Sequence, residues 1–514
     1  MSESVMKWFK IFLASIVCIL VLGLGVQQWV QHKINAFIAN DLPPSVKLNE
    51  SNVQFKLWSK TISCRPMQII YDADSTDNYA TKLIIENIDF KGINYYQLWA
   101  NNKVVLDDLI FKNSTIIHHK LNKKKKNTEA AQKQQIPVNI TVDKFQLDAA
   151  NLHIVDNTGD STVLKVDNLN LILREVEVNE QTLSNNLPFH FSASYCSYDS
   201  LMLKAGKHEH LVCSYSQLKN ENLIFNNLSY FTKYSKETYS KILDLERDHV
   251  RLTVDDIRFT NFNFENSIER RFAFTADSVH LQNPFAKMYR DKTIADDLRP
   301  RILYGEKMNN ALVDLDFKNV LVVNGFLHHD IHKDINNTPG KLKFNNIYST
   351  IQNFSNVNQE PTNISFQAKF MEDTKVEGDW SFVNSDLDEN FIFNASINSL
   401  TVADLNQLTI PNQNSKMSGN VSRVNIKING NKFSSVCDLE IDYQDLKITL
   451  LDEEDKKRKL VSAIANFIIR DDGTIPDEKH GKINVTTTRE TTISFWKYIW
   501  LNIKAALAED IIKL

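Results

Sequence analysis

Cysteine is scarce in this 514-residue sequence, and its spacing carries no metal or redox signature. The five residues Cys18, Cys64, Cys196, Cys213 and Cys437 form no C-x-x-C pair, and their odd count and wide spacing argue against both a zinc site and a disulfide framework. Cys196 and Cys213 flank "CSYDSLMLKAGKHEHLVC"; one disulfide in an oxidising compartment and two buried thiols both fit that spacing. Glycine and proline number only 13 and 11, too few for a flexible linker protein. A dominant charge is missing too: a formal net charge of -4 gives no general argument for nucleic acid as a partner. There is no G-x-S-x-G, no P-loop, no G-x-G-x-x-G after a strand and no H-E-x-x-H. Aspartates and glutamates scatter over strands and turns, so no carboxylate pair can be nominated for acid–base work. The expectation is a protein that is not an enzyme and needs no cofactor.

What is there is alternation. In "KLIIENIDFKGINYYQLWANNKVVLDDLIFKNSTI" (82–116) apolar residues recur at near-alternate positions around a short helical turn. "HVRLTVDDIRFTNFNFE" (249–265), "ALVDLDFKNVLVV" (311–323), "NISFQAKF" (363–370), "VSRVNIKING" (421–430) and "CDLEIDYQDLKITLL" (437–451) repeat the texture. Period two with polar partners predicts strands with one dry and one wet face, as in an antiparallel sheet, and small slips of phase predict bulges. "FKNSTIIHH" (111–119) echoes "VVNGFLHHD" (322–330), which suggests one unit reused along a continuous sheet. Short helices or ordered loops are expected at 235–248 and 286–301, and "LNKKKKNTEAAQKQQIP" (121–137) reads as a solvated charged linker. His118-His119, His208, His210, His328, His329 and His332, with Asp330, invite a metal reading, but strand ends lack a matching Glu or Cys cluster, and no metal site is assigned. Sequons at Asn113, Asn139, Asn227, Asn363, Asn394 and Asn484 matter only in a eukaryotic secretory setting.

The termini break the pattern. An uncharged apolar run, Ile11 to Val26, follows Lys7 and Lys10, with Trp8, Phe9, Phe12 and Trp29 as anchoring aromatics. It predicts a single membrane-spanning segment over 7–30, after a cytoplasmic tail 1–6, with the body outside the cytoplasm. A cleaved signal peptide, cut near Gly23-Leu24-Gly25, is the competing reading. At the other end, 491–514 predicts an amphipathic helix whose apolar face is Trp496, Ile499, Trp500, Ile503 and Leu507, suited to an interface or to capping the β core.

The N-terminal anchor, the strand–short helix–strand unit at 82–116, "ADSVHLQNPFAKMYRDK", "GKLKFNNIYSTIQNFSN", "CDLEIDYQDLKITLLDEEDKKRKLVSAIANFIIRDD" and "ISFWKYIWLNIKAAL" together resemble the AsmA-like, TamB-related envelope proteins of Gram-negative bacteria. The resemblance implies a mainly β fold: a long antiparallel curved sheet, taco-like, between an N-terminal transmembrane helix and a C-terminal amphipathic helix. It implies a membrane-proximal β region over 31–120 and, beyond the linker, a groove body over 138–490. It implies an inner-membrane protein with a periplasmic body that transports phospholipid between inner and outer membrane. Candidate groove residues are Leu83, Ile85, Phe90, Phe111, Leu252, Val254, Phe259, Leu315, Phe317, Phe366, Ile426, Ile428 and Ile448. The same alternation would build a closed, packed scaffold assisting assembly of outer-membrane proteins through protein partners. An extracellular carbohydrate binder, presenting Trp58, Trp99 and Trp380 on its wet face, is the third reading.

Overall fold

The structure is a computed structural model, and it describes residues 23–32, 35–36, 46–49, 52–71, 81–101, 103–119, 139–156, 161–182, 189–266, 271–334, 337–451 and 479–512. Contacts divide the chain into two units, residues 1–204 with 213–220 and residues 205–212 with 221–514. Both are mainly β, because alternating Leu, Ile, Val and Phe can be buried on one face only in an extended chain.

In the first unit, β1 (Val46–Asn49), β2 (Asn52–Lys56), β3 (Thr61–Arg65) and β4 (Met67–Tyr71) form two broken antiparallel pairs, β2 with β3 and β1 with β4. Both β3 and β4 pair with β5 (Thr81–Lys91), which pairs with β6 (Val104–His119). β6 runs parallel to β7 (Ile140–Val155). β8 (Thr162–Val178) returns antiparallel and takes β9 (Ala193–Tyr198) and β10 (Ser200–Lys204) on its far side. β11 (Glu209–Cys213) belongs mainly to the second unit, and β12 (Tyr215–Lys219) pairs with β9.

In the second unit, β13 (Asn222–Thr232) lies between β11 and β14 (His249–Thr260). β15 (Asn263–Asn266) adds to β16 (Phe272–Gln282), and β16 and β17 (Phe285–Asp291) line up end to end against β14. β18 (Asp314–His332) runs parallel to both. An antiparallel meander follows through β19 (Gly340–Ser355), β20 (Thr362–Phe370), β21 (Thr374–Phe382), β22 (Phe391–Thr401), β23 (Ser415–Gly430), β24 (Ser434–Leu450) and β25 (Lys479–Thr488).

The expected long antiparallel sheet is therefore found as a mixed, mostly antiparallel one. Parallel steps fall where β6 joins β7 and where β17 joins β18, two connections long enough for the chain to cross back before pairing. The echoing segments 111–119 and 322–330 sit on β6 and β18, beside those two steps. The segment 235–248 does contain a helix, Lys236–Ile242, capped by Ser235 through its hydroxyl. The segment 286–301 does not: its first part is β17 and the rest is turn and loop.

In each unit the sheet is creased along rows of left-handed residues. Asn113, Ala149 and Asn168 have φ of 49°, 52° and 52° in β6, β7 and β8, and Asn227, Asn283, Asn324 and Asn346 have φ of 51°, 51°, 55° and 50° across the second unit. Asparagine tolerates this region because its short amide can bond locally. The amides do so across strands: Asn324 Nδ2 donates to Asn283 Oδ1 at 2.8 Å, and Asn283 Nδ2 to Asp255 Oδ2 at 2.9 Å. Each crease takes up one extra residue, so apolar alternation before and after it lands on the same face. In the first unit Leu83 and Ile69 on one side of the crease pack with Phe90 and Ile62 on the other.

A helix over residues 23–32 lies along the outer edge of β2. Gln31 accepts from Phe55 N at 2.7 Å and donates to Val53 O at 2.6 Å, while Gln27 accepts from Leu57 N at 3.3 Å. Side-chain amides thus satisfy the edge strand's backbone. Trp29 is on this helix and exposed, whereas Trp8, Phe9 and Phe12 of the expected anchor lie outside the described residues, as does the 121–137 linker. Among the described residues no helix is long and apolar enough to cross a membrane.

Candidate functional site

Directly paired residues in a sheet share a face. In the second unit one register row reads Leu223, Phe259, Val279, Val320, Ile351, Ile364, Trp380, Phe393, Ile428, Cys437 and Val485, from β13 to β25 without a polar residue. The adjoining row carries Phe225, Ile257, Leu281, Val322, Ser349, Phe366, Gly378, Ala395, Ile426, Leu439 and Ile483. Gly378 is needed there, since a Cβ would stand 2.7 Å from the Phe366 ring and 2.3 Å from Asn394 O. The first unit repeats the arrangement. One row is Leu48, Ile69, Leu83, Ile116, Leu152, Val166 and Leu201, and another is Val53, Cys64, Ile88, Phe111, Leu147, Leu171, Cys196 and Leu218.

These rows place most of the candidate groove residues. Leu83 and Phe111 stand in the two rows just given, Phe90 pairs with Leu109 beside them, and Ile85 is fully buried opposite Met67. Phe259, Phe366, Ile426 and Ile428 stand in the rows of the second unit; Leu252 pairs with Tyr230 and Ala286 across the crease, with Val254 buried next to it. Phe317 meets Phe259 at 5.7 Å and Phe354 at 6.2 Å between ring centroids, and Leu315 pairs with Phe274. The side chain of Ile448 lies outside the described residues. Alternation alone could not reveal that separate strands would align their apolar residues into rows.

The rows are covered unevenly. On β7, β8, β18 and β19 most side chains are half-buried on both faces, the pattern of a sheet one layer thick. At the β20–β25 end the helix Phe495–Ile512 closes the apolar face, with Phe495 stacked on Trp380 at 4.5 Å and edge-on to Phe391 at 5.1 Å. Its buried side is Phe495, Tyr498, Ile499, Asn502 and Ala506, so the expected face is rotated: Ile499 is buried, Ile503 and Leu507 are half-buried, and Trp496 and Trp500 remain about half exposed. Asn502 is held by Ser435 Oγ, which donates at 2.8 Å, and donates to Tyr498 O at 3.0 Å. Trp380 is buried in this core, not displayed on the wet face.

A charged group lies where β14, β17 and β18 meet, at the end of β14 remote from the rows through Ile257 and Phe259. Arg290 donates from Nε to Asp248 at 2.7 Å and lies 3.7 Å from Glu246, which Lys292 also reaches at 2.5 Å. Burial disfavours the Asp248 carboxylate, but hydrogen bonds from His329 and Arg290 outweigh it and hold its pKa down to about 2. The segment "HHDIH" lies within β18, so period two sends His329 to one face and His328 and His332 to the other. His328 pairs with Asn345 at 2.8 Å, His329 with Asp248 at 3.5 Å and His332 with Tyr289 at 3.1 Å. Among the described residues no group of three or more His, Cys, Asp or Glu is arranged to hold a metal. Cys196 and Cys213 are not in a disulfide: Cys213 is buried, with Sγ donating to Tyr215 O at 3.1 Å, and burial pushes the Cys196 pKa up.

A depression of about 500 Å³ at the ends of β21–β24 is lined by Asp386, Asn390, Asn429 and Asn431 among others, and pairs no acid with a base. Neither the models of known protein families nor the curated proteins give a match to this chain.

Proposed function

We propose that the chain is a membrane-anchored envelope protein, inner-membrane in a Gram-negative cell with its body in the periplasm, whose apolar rows carry phospholipid acyl chains between membranes. The observation that supports this is the unbroken apolar row from Leu223 to Val485, perpendicular to the strands. Each acyl CH₂ brought into water costs about 0.8 kcal/mol, so a 16-carbon chain costs on the order of 12 kcal/mol. A continuous apolar path lowers that barrier with no titrating group and no chemical step.

A second reading draws on the Trp380–Phe495 core. If the closed packing seen there is the purpose of the whole face, the protein is an anchored scaffold assisting outer-membrane protein assembly. Native mass spectrometry with lipid extraction on the purified full chain separates the two. Lipid handling predicts co-purifying phospholipid that is lost in Phe259→Asp and Ile351→Asp with folding intact. A stable chain without lipid supports the scaffold.

A further inference from the structure

One corner of the first unit displays aromatic residues where a soluble protein would bury them. The hairpin turn between β2 and β3 presents Trp58 at 61% exposure, and the short helix Tyr95–Asn101 presents Tyr96 at 68% and Trp99 at 87%, with Leu98 also exposed. That helix buries none of its residues. It is nevertheless fixed in place. Tyr95 OH donates to Leu57 O at 3.2 Å, Ile93 N donates to Lys60 O at 3.2 Å, and the Tyr95 ring meets Phe55 edge-on at 6.3 Å. The aromatics are therefore held outward on a braced platform.

Charge follows the same plan. Residues 56–60 and 91–103 contain Lys56, Lys60, Lys91 and Lys103 and no aspartate or glutamate, and the exposed Asp107 of β6 is the acid that stands against them, at Gly92. Tryptophan and tyrosine prefer the interfacial layer of a bilayer, and lysine beside them suits an anionic headgroup surface. The chain's own course points to the same partner. The uncharged run Ile11–Val26 leads into the helix over 23–32, and Gly23 of that helix lies so close to Trp58 that a Cβ there would stand 2.5 Å from the indole. Gln27 and Gln31 then bind this helix to β2, so the corner is tied to the end of the apolar run, residues 23–26.

We propose that Trp58, Tyr96 and Trp99, with the surrounding lysines, form a docking platform that seats this corner of the first unit in the headgroup layer of a lipid bilayer. The platform fixes the tilt of the first unit over the membrane, and it does so whether the apolar rows carry lipid or only pack. Its partner is the bilayer surface itself. The amide side chains beside the rings bond within the helix, with Asn94 accepting from Gln97 N at 3.1 Å and Gln97 accepting from Asn101 at 2.7 Å, which leaves the exposed rings and the lysines to meet the partner.

The test uses the full chain reconstituted in vesicles of phosphatidylcholine with phosphatidylglycerol. A nitroxide is attached at Trp58→Cys, Trp99→Cys or Tyr71→Cys, with Cys18→Ser and Cys196→Ser as background. Tyr71 ends β4, about 30 Å along the strands from the turn at Trp58, and serves as the water-facing reference. All three positions are exposed, and coincident thermal unfolding of the labelled chains checks that the labels, including the one that replaces the Trp58 ring beside Gly23, leave the fold intact. Labels at 58 and 99 should collide with oxygen more than with a water-soluble nickel chelate, and the label at 71 should show the reverse. Labels at 58 and 99 that are as open to nickel as the one at 71 would overturn the platform, and would be the outcome for a tip that binds carbohydrate or protein.

Discussion

Single residues decide whether alternation becomes a continuous face. Asn324 holds φ of 55° and bonds Asn283, so Asn324→Ala loses both the tolerated conformation and the amide bond. It should destabilise the chain by about 1–2 kcal/mol, while Asn324→Gly, free of the Cβ penalty, should cost less. Chemical denaturation of the two variants measures the difference, and equal losses would show that the left-handed conformation is not what matters. Asp248 acts through charge. Its folded pKa of about 2 lies below the unfolded value near 3.8, so its stabilisation is complete above about pH 4 and disappears as pH falls toward 2. Asp248→Asn should lose on the order of 2 kcal/mol at neutral pH and flatten the acid limb of the stability curve. Some of this was legible in advance: slips of phase predict bulges, and register shifts occur where β7 meets β8, β18 meets β19, β19 meets β20 and β23 meets β24. The pairing of Asp248 with Arg290 was not, because 42 residues separate them and only the register of β14 with β17 brings them together.

Elements show where pattern reading succeeds and where tertiary context takes over. The long alternating strands and the β5–helix–β6 unit could be read from spacing, since burial on one face leaves no other solution. The segment 286–301, expected as a short helix or an ordered loop, is loop only beyond Asp291, because pairing with β14 on one side and β18 on the other makes 285–291 extended. In the terminal helix the rings of Trp496 and Trp500 dominate any apolar count, yet close approach to the sheet favours Ala506 and the bonded Asn502 on the buried side. Phe495→Ala should therefore cost about 3–5 kcal/mol, and thermal unfolding would read it. At the other end of the chain, Gln31→Leu removes two bonds to the β2 backbone, worth about 1 kcal/mol each. Hydrogen exchange at the Phe55 amide should rise while that at Ile88 stays slow. Unchanged exchange at Phe55 would mean that the helix over 23–32 does not protect the edge.

At the scale of the whole molecule, strands of ordinary chemistry are arranged so that their apolar residues fall in line. Alternation within each strand is visible in the sequence. Alignment between strands is a property of register, set jointly by turns, creases and the two parallel steps, and only the structure displays it. The lipid-carrying account makes its sharpest demand on neighbouring residues of one strand. Phe259 stands in the apolar row and Arg258 on the opposite, wet face. A photoreactive phenylalanine analogue placed at each position in the full chain, irradiated in the host cell and followed by mass spectrometry of the adducts, tests it most directly. The account predicts phospholipid adducts at 259 and none at 258. Protein adducts alone at 259, or no adduct at either position, would contradict it.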